Sequence, residues 1–408
     1  MKILMLTPRF PYPPNRGDTV RSWSQLEYLA ARHNVWLACV DERAPRPEHL
    51  DRVQSICRDV AVATSPKLRS LARGGLSLVA GHSLTEGYYH STTLGGTVRA
   101  WASAVHFDAV LTYSSAMAPL AELVDARRVL DLNDVDSHKW QTYASRGRAP
   151  MKWLYACEAR RTRALERHIV QTNDVTLVVN ERERRKLLDL MTPRASDVIR
   201  TAVDLEPPSD SQADATQPPA VGMVGSMFYP PNVRAAEWFG RNVWPRLHAM
   251  VPEAQWWIIG NRPTRQVRRW GRRPNVTVTG FVPSIEPYFD AMRVFVNAVH
   301  GNLGVQTKLL MAMAAGKPAV VTPDSAAGID YEGEPPFLVA ESPVEFADAV
   351  ERLLYDDALA RSLGTRAREV IRDYYQPADQ WHRIEQWLMG TPPNGAPAVK
   401  SETTEVCV

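Results

Sequence analysis

The chain has 408 residues, too many for one ordinary hydrophobic core, so two domains are expected. Hydrophobic residues make up 45% and charged residues 23%, as in globular proteins, and a net charge of +3 is too small to indicate a nucleic-acid partner. The cysteines are not spaced as a metal or redox pair, which predicts no metal site and a reduced, cytoplasmic protein.

Two observations argue against membrane insertion. No run of 18 apolar residues occurs, so no segment is expected to span a membrane. The first residues are apolar for only a short distance before Pro8 and Arg9, which does not resemble a signal peptide.

The chain begins with the apolar run 2–7, which is typical of a buried parallel strand. The proline-rich loop 8–18 follows, and it contains Arg16 and Gly17. Thr19 is expected to cap the next helix. A strand, a glycine loop and a helix open many α/β sheets, whose ligands lie at the carboxyl ends of the strands. A plain surface turn at 16–17 is the alternative.

Strands and helices then alternate, which predicts a parallel, doubly wound sheet. The expected strands of the first half are 35–40, 60–63, 108–113, 128–132, 175–179 and 198–200. The expected helices are 47–57, most of 66–105, 150–170 and 181–190, the last capped by Asn180.

A polar cluster follows the strand at 128–132. Asp134, Asp136, His138 and Trp140 lie where reacting groups belong in this architecture, at the carboxyl end of a strand. The alternative is a helix cap and a solvated turn, which Asp and Ser also favour. The long helix at 150–170 is basic at 158–168, and its arginines could meet anionic lipid head groups. The alternative there is a solvated helix with Glu–Arg pairs.

Composition changes at 206–219, a polar, proline-rich segment that is expected to be a linker. The strand–helix pattern then restarts. The expected strands are 220–224, 255–259, 276–279, 294–297 and 337–340, and the helices are 232–250, 343–355, 357–373 and 377–388. Residues 389–408 are polar and are expected to be disordered.

The segment 301–323 combines a glycine loop with a short apolar helix that Gly316 ends, and Pro318 precedes a buried strand. The start of such a helix binds anions through free N–H groups and the helix dipole. Lys308 falls in the first turn, where a cation is unfavourable unless an anion lies nearby. A solvated surface lysine is the alternative.

Five segments, in order along the chain, resemble one known family: 7–18, 131–140, 225–233, 280–283 and 304–318. On these segments the chain resembles the retaining, nucleotide-sugar-dependent glycosyltransferases of family 4 (glycosyl transferases group 1). It is most similar to the branch associated with exopolysaccharide and exosortase gene clusters.

The resemblance implies the GT-B fold, which is two Rossmann-like, doubly wound parallel-sheet domains facing a cleft. Residues 1–205 would form the acceptor-side domain and 220–373 the nucleotide-sugar domain, with the helix 377–388 packing back on the first.

The implied activity is transfer of a sugar from a nucleotide-diphosphate sugar to an acceptor hydroxyl, with retention, in polysaccharide or natural-product biosynthesis. The acceptor would be a sugar, a lipid-linked molecule or a small molecule. No cofactor or metal beyond the donor is implied. The protein would be cytoplasmic, with peripheral contact at the inner membrane face through 158–168 as an option.

The resemblance also implies site residues. Donor binding falls on Arg16, Gly17, Gly225, Ser226, Arg262, Gly304, Val305, Gln306, Thr307, Lys308 and Met311. Here Arg262, or Arg234, would replace a basic residue missing after Gly225. Lys308 would stabilise the leaving diphosphate, Asp134 and Asp136 would orient or deprotonate the acceptor hydroxyl, and His138 and Trp140 would face the acceptor.

The sequence departs from the family at Leu303 and Met311, where the family has glutamates, the second of which holds the ribose hydroxyls. Asn133 also stands where the family tends to have histidine. These departures leave a second hypothesis open, a catalytically impaired homologue that binds a ligand or a partner. A sugar-nucleotide epimerase ranks last, because the sequence offers few acid–base residues for it.

Overall fold

The structure, a computed structural model, describes residues 1–14, 17–205, 218–301 and 304–393. The linker prediction at 206–219 and the tail prediction at 389–408 therefore lie mostly outside the described residues. The chain forms two compact units. The first comprises Met1–Arg200 and the helix that begins at Pro377, and the second comprises Thr201–Gln376.

A seven-stranded parallel sheet forms the centre of the first unit, in the order β3-β2-β1-β4-β5-β6-β7. Its strands are β1 (Lys2–Thr7), β2 (Asn34–Asp41), β3 (Asp59–Thr64), β4 (Ala109–Tyr113), β5 (Arg127–Asn133), β6 (Val175–Val178) and β7 (Ser196–Val198). Ile3, Leu4, Met5 and Leu6 have no exposed surface. Helices cover both faces of such a sheet, which is why its inner strand is apolar throughout.

Nine helices of the described chain connect these strands. They are α1 (Gly17–Ala30), α2 (Pro47–Gln54), α3 (Lys67–Val79), α4 (Leu84–Tyr89), α5 (Thr92–Ala104), α6 (Ala118–Ala121), α7 (Asp136–Arg146), α8 (Met151–Thr172) and α9 (Glu181–Leu190). Asn180 caps α9 as predicted, since its side chain accepts a hydrogen bond from Glu183 N.

The second unit has a six-stranded parallel sheet in the order β10-β9-β8-β11-β12-β13. Its strands are β8 (Ala220–Val224), β9 (Gln255–Ile259), β10 (Val276–Gly280), β11 (Val294–Asn297), β12 (Ala319–Val321) and β13 (Leu338–Val339). Its helices are α10 (Pro230–Trp238), α11 (Trp244–Met250), α12 (Arg265–Trp270), α13 (Glu286–Ala291), α14 (Thr307–Ala314), α15 (Pro323–Ala326), α16 (Pro343–Tyr355) and α17 (Asp357–Tyr374).

The last described helix, α18 (Pro377–Met389), packs on α1, β4 and β5 of the first unit. Trp381 Nε1 donates to Ser24 Oγ at 2.8 Å, and Trp387 Nε1 donates to Asp197 Oδ2 at 2.8 Å. Arg383 also donates to Asp197, at 2.7 Å. The apolar face of this helix and its indole N–H groups are therefore used within the first unit.

The prediction of two Rossmann-like parallel-sheet domains is confirmed. The predicted cap at Thr19 is wrong, because α1 already begins at Gly17 and Thr19 lies inside it. The predicted strand 198–200 is shifted, since β7 pairs with β6 at Ser196–Val198. Among the described residues, no helix is both long and apolar enough to cross a membrane.

Two element boundaries in the second half also differ. The helix expected at 232–250 begins earlier, at Pro230, since proline fits the first turn of a helix. It also contains a π-helical turn at Phe239–Val243 between α10 and α11. The last strand is shorter than 337–340 because only Leu338 and Val339 pair with β12.

Candidate functional site

The loops predicted to bind the donor lie where the second sheet reverses its winding. β8 and β11 are neighbours, and the chain leaves them toward opposite edges of the sheet. Loops after two such strands diverge and leave room for a ligand at the carboxyl ends. Gly225 and Ser226 follow β8, and 304–308 follow β11, so both predicted loops belong to this switch point.

Asn232 joins Lys308 to the loop after β8, and Asn261 joins that loop to the loop after β9. Lys308 Nζ donates to Asn232 Oδ1 at 2.6 Å, and Asn232 Nδ2 donates to Ser226 O at 3.1 Å. Ser226 Oγ donates to Asn261 Oδ1 at 2.7 Å, and Met227 N donates to Asn261 O at 2.9 Å. These bonds tie α10 and α14 to the loops after β8 and β9, so the ammonium has a fixed position beside the glycine loop.

Sequence reasoning missed both asparagines as site residues. It placed Asn232 at a helix start, within the segment 225–233, and assigned no role to Asn261. Their position in the sequence could have indicated a role, since each asparagine follows a glycine loop at the end of a strand. The partner of Asn232 could not be read from the sequence, because Lys308 lies 76 residues further along the chain.

Lys308 lies half-buried in the first turn of α14, at the positive end of the helix dipole. Burial lowers the pKa of Lys308 to about 7. Asn232 is a neutral acceptor and does not compensate the charge. A bound anion would raise this pKa again and offset the loss of hydration. The charged form of Lys308 is therefore more stable when an anionic ligand is bound than in the free protein.

The two helix starts at the switch point differ in their donors. α10 begins with Pro230 and Pro231, and proline has no N–H. α14 begins with Thr307 and Lys308, whose backbone N–H groups precede the first intrahelical hydrogen bonds. An anion at the start of α14 therefore meets backbone donors and the ammonium together, as the sequence analysis expected for this segment.

Glycine is required where the loops after β8 and β9 touch. A Cβ on Gly260, whose φ is 143°, would lie 1.8 Å from Gly225 O. A Cβ on Gly225 would lie 2.6 Å from Asn232 Nδ2. Gly225 N donates to Ile259 O at 3.0 Å across the same contact. The loops after β8 and β9 therefore pack backbone against backbone at Gly225 and Gly260, where neither loop has room for a side chain.

The other donor-side candidates vary in their surroundings. Val305 and Met311 are half-buried and pack against the apolar cluster under α14. Gln306 directly precedes α14, and Gly304 has a left-handed φ of 60°. Arg262 is exposed, and its guanidinium lies 4.2 Å from the centre of the Phe228 ring.

Two predicted positions, Arg16 and Leu303, lie outside the described residues. Gly17 is the exposed first residue of α1. Asp18, in the same first turn, pairs with Arg9 at 3.2 Å. This ion pair holds the two described ends of the loop 8–18 together.

Asp131, the first residue of the segment 131–140 that carries the family resemblance, is a structural residue. It is fully buried in β5, and Arg21 donates to both of its oxygens, at 2.9 and 3.1 Å. Gln25 Nε2 donates to it at 2.7 Å. All these contacts come from α1, so the carboxylate joins that helix to the sheet and does not face an acceptor.

Asp134 follows a sharp turn at Asn133, whose φ is 65°. Asn133 Nδ2 donates to Asp134 Oδ2 at 2.7 Å, while Asp134 Oδ1 is buried without a hydrogen-bond partner among the described residues. Burial, with the nearby carboxylates of Glu183 and Asp136, raises the pKa of Asp134 to about 6. Asp136 is instead paired with Lys139.

The start of α7 is closed by carboxylates from two other helices. Val135 N donates to Glu183 Oε2 at 3.1 Å, and Ser137 N donates to Glu166 Oε1 at 3.1 Å. Burial raises the pKa of Glu166 to about 7. This helix start is therefore occupied by side chains from within the domain and is not an open anion site.

His138 and Trp140 are half-buried on α7. Burial lowers the pKa of His138, so the imidazole is neutral at pH 7. Trp140 stacks on Tyr155 with ring centres 5.9 Å apart and meets the edge of Tyr143 at 5.8 Å. Trp140 thus belongs to an aromatic cluster between α7 and α8.

A cavity of about 310 Å³ lies at the carboxyl ends of β1, β2 and β3 in the first unit. The sequence analysis did not predict it. Its wall includes Arg9, Tyr12, Glu42, Tyr88 and Ser70. Aromatic rings beside charged and hydroxyl groups can receive a ligand that has both polar and apolar surfaces.

Three of the four arginines of α8 donate hydrogen bonds within the domain. Arg161 donates to Leu78 O and to His82 O, and Arg163 donates to Gln141 Oε1 at 2.7 Å. Glu158 of the same helix is fully buried. These bonds connect α8 to neighbouring segments. Neither alternative predicted for this helix, contact with lipid head groups or a solvated helix with Glu–Arg pairs, includes them.

No group of three or more His, Cys, Asp or Glu side chains in the described part of the chain could hold a metal ion.

Residues 218–356 match the family model of glycosyl transferases group 1. The match runs from just before β8 to the end of α16 and therefore lies within the second unit. No curated protein matches the chain.

Solved structures show the fold of the whole chain. Sucrose-phosphate synthase from Thermosynechococcus elongatus is similar with a TM-score of 0.68 and 15% identity, over 96% of this chain and 98% of that one. HepE from Anabaena, in complex with UDP and glucose, has a TM-score of 0.64 and 14% identity over 96% and 100%. The glycotransferase of kitacinnamycin has a TM-score of 0.58 and 17% identity over 95% and 99%. The fold is GT-B, as the sequence analysis predicted.

Proposed function

We propose that this protein transfers a sugar from a nucleotide-diphosphate sugar to an acceptor hydroxyl, with retention, and that its second unit binds the donor. The observation that carries the proposal is Lys308, a half-buried ammonium with a lowered pKa at the start of α14. The family match of 218–356 supports sugar transfer. The UDP and glucose bound to HepE support a nucleotide sugar as the donor class, and make UDP the first nucleotide to test.

In the proposed reaction, the bond between the anomeric carbon and the diphosphate oxygen breaks, and its electron pair leaves with the diphosphate. The acceptor oxygen bonds to the same carbon from the same face. Its proton passes to the departing phosphate oxygen or to Asp134. The N–H groups at the start of α14 and the Lys308 ammonium would stabilise the charge that develops on the leaving group.

On the acceptor side, Asp134 is the favoured proton acceptor. A carboxylate with a pKa of about 6 and a buried, unpaired oxygen is better suited to this role than Asp136, which pairs with Lys139. The cavity lined by Tyr12 and Tyr88 is a second acceptor-side candidate. Polysaccharide and natural-product acceptors are both consistent with these groups.

Calorimetric titration with UDP, GDP, TDP and ADP sugars tests the donor. We expect one of them to bind with a dissociation constant below one millimolar, and Lys308→Met to weaken it at least tenfold. Lys317→Met is the matched control, because Lys317 follows the other end of α14, where its Nζ donates to Asp290 O at 2.9 Å. No binding of any of the four at millimolar concentration would refute the proposal.

One observation favours a second function, a catalytically impaired homologue that binds a ligand or a partner. Met311, half-buried in the apolar cluster, cannot accept hydrogen bonds from a ribose as a carboxylate would. A turnover assay with donor and acceptor, with and without the proteins encoded beside this one, separates the two functions. Turnover by the isolated chain would eliminate the second.

A further inference from the structure

Helix α3 turns its apolar side to solvent. Four aliphatic side chains spaced along one stripe of the helix are exposed: Leu68 by 83%, Leu71 by 52%, Leu76 by 70% and Val79 by 88%. The buried side consists of small or polar residues, among them Ser70 and Gly74. A surface helix of a globular protein normally has the opposite arrangement.

The orientation of α3 is fixed by its polar side. Ser77 Oγ donates to Ser83 O at 2.9 Å, and Arg73 donates to Ser65 Oγ at 2.7 Å. A Cβ on Gly87 of α4 would lie 2.3 Å from the Ser77 Cβ, so the two helices touch at that point without room for a side chain. Rotating the leucines inward would break these contacts.

Within the segment that contains α3, all charged side chains are basic. No Asp or Glu occurs from 65 to 85, whereas Lys67 and Arg69 lie exposed in the first turn of α3. Cations at a helix start are unfavourable for the helix itself. Their position beside exposed leucines therefore calls for an external anionic partner.

We propose that the outer face of α3, formed by Lys67, Leu68, Arg69, Leu71, Leu76 and Val79, docks on a membrane surface that contains anionic lipid. An amphipathic helix with leucines on one face and adjacent basic residues is the composition that lies in a lipid interface. Protein interfaces, by contrast, are enriched in aromatic residues and depleted in lysine, and this face has no aromatic residue.

A neighbouring helix supports this choice of partner. Arg161 of α8 donates to the carbonyl groups of Leu78 and His82, at the end of α3. The first turn of α8 exposes Trp153 by 76%, and tryptophan is enriched where proteins meet the membrane–water interface. The proposed membrane contact therefore lies on α3 and not on the arginines at 158–168, three of which donate hydrogen bonds within the domain.

Docking through α3 also indicates an acceptor class, and this inference alone rests on the proposed function. Ser70, on the inner side of α3, lines the cavity at the carboxyl ends of β1, β2 and β3. A docked α3 would bring that cavity close to the bilayer. We therefore expect the acceptor to be a polar group carried on a membrane lipid.

Co-sedimentation of the full chain with phosphatidylcholine vesicles, with and without 30% phosphatidylglycerol, tests the docking. No nucleotide is added, so the result does not depend on the donor site. We expect binding to the anionic vesicles that weakens as salt rises, and a partition coefficient at least about tenfold lower for Leu71→Ser/Leu76→Ser. The control Leu188→Ser/Val344→Ser removes similarly exposed side chains elsewhere and should bind normally.

A second pair of variants separates α3 from α8. Lys67→Glu/Arg69→Glu should lower anionic binding about tenfold or more, while Arg160→Glu/Arg167→Glu, which reverses exposed charges on α8, should lower it less. The proposal is overturned if neither vesicle binds the chain, if neutral vesicles bind it equally, or if only the α8 variant loses binding. A dimer in sedimentation equilibrium that Leu71→Ser/Leu76→Ser abolishes would instead assign this face to a second copy.

Discussion

Replacing Lys308 with methionine should stabilise the free protein while it weakens donor binding. Methionine keeps a similar length and removes a charge whose pKa falls from 10.5 to about 7 through burial. At about 1.4 kcal/mol for each pH unit, this fall means that burying the ammonium form costs at most about 5 kcal/mol. Relaxation of the half-buried side chain reduces this cost, so we expect the free energy of unfolding to rise by about 1–2 kcal/mol.

The pH dependence provides an independent readout. The unfolded chain holds a proton on Lys308 up to about pH 10.5, whereas the folded chain releases it near pH 7. The unfolded state therefore binds more protons between these values, and wild-type stability gains a rising contribution from pH 7 to 10. The Lys308→Met variant should lack that contribution, and donor affinity in the wild type should fall as pH rises above 7.

Urea denaturation at pH 6, 7.5 and 9, together with calorimetric titration of UDP, measures both effects. Lys317→Met should leave UDP affinity unchanged. If Lys308→Met binds UDP as tightly as the wild type, the ammonium does not contact the donor. If the variant loses more than 1 kcal/mol of stability with no change in affinity, Lys308 is a structural residue that holds Asn232.

Three further predictions follow from single side chains. Met311→Glu should tighten UDP binding about tenfold, because a carboxylate accepts ribose hydroxyl groups, and unchanged affinity in titration would place the nucleoside elsewhere. Asp131→Ala should lower the free energy of unfolding in urea by about 3–5 kcal/mol, since Arg21 is left buried without its counter-charge; a loss below 1 kcal/mol would contradict this. Glu166, with its pKa raised to about 7, makes the folded state bind more protons than the unfolded state from pH 4.5 to 7, so this contribution to stability falls as pH rises. Glu166→Gln should remove that decline in a pH series of melts, and an identical slope would show that Glu166 is ionised in the fold.

The strands and helix around Lys308 could be predicted from the sequence because their signals are local. The apolar runs of β8 and β11 and the glycine loops after them lie within a few residues of one another, and strand periodicity and turn chemistry act over that range. The helix after the second loop begins at Thr307, as the sequence indicated, and Gly316 has the left-handed φ of 67° that its position after the helix requires. The sequence also named Lys308 from its place in the first turn of a helix.

The first domain shows where such reasoning fails. Asp131 and Asp134 look alike in the sequence, as acids at the end of one strand. Only packing makes Asp131 the buried partner of Arg21, 110 residues away, and leaves Asp134 with an unpaired oxygen. The pKa of Asp134 is raised by burial and by the charge of Glu183, and the periodicity of a strand predicts neither.

The sequence by itself determined the alternation of strands and helices, the two-domain division and the glycine loop that precedes α14, because each is encoded by neighbouring residues. The tertiary structure decided which side chains meet, since contacts such as that between Asn232 and Lys308 span 76 residues. It also decided which face of α3 is exposed. A helix has the same apolar stripe whether that stripe is buried or not, and the contacts on the polar side of α3, among them that of Ser77 with Gly87, turn the stripe outward.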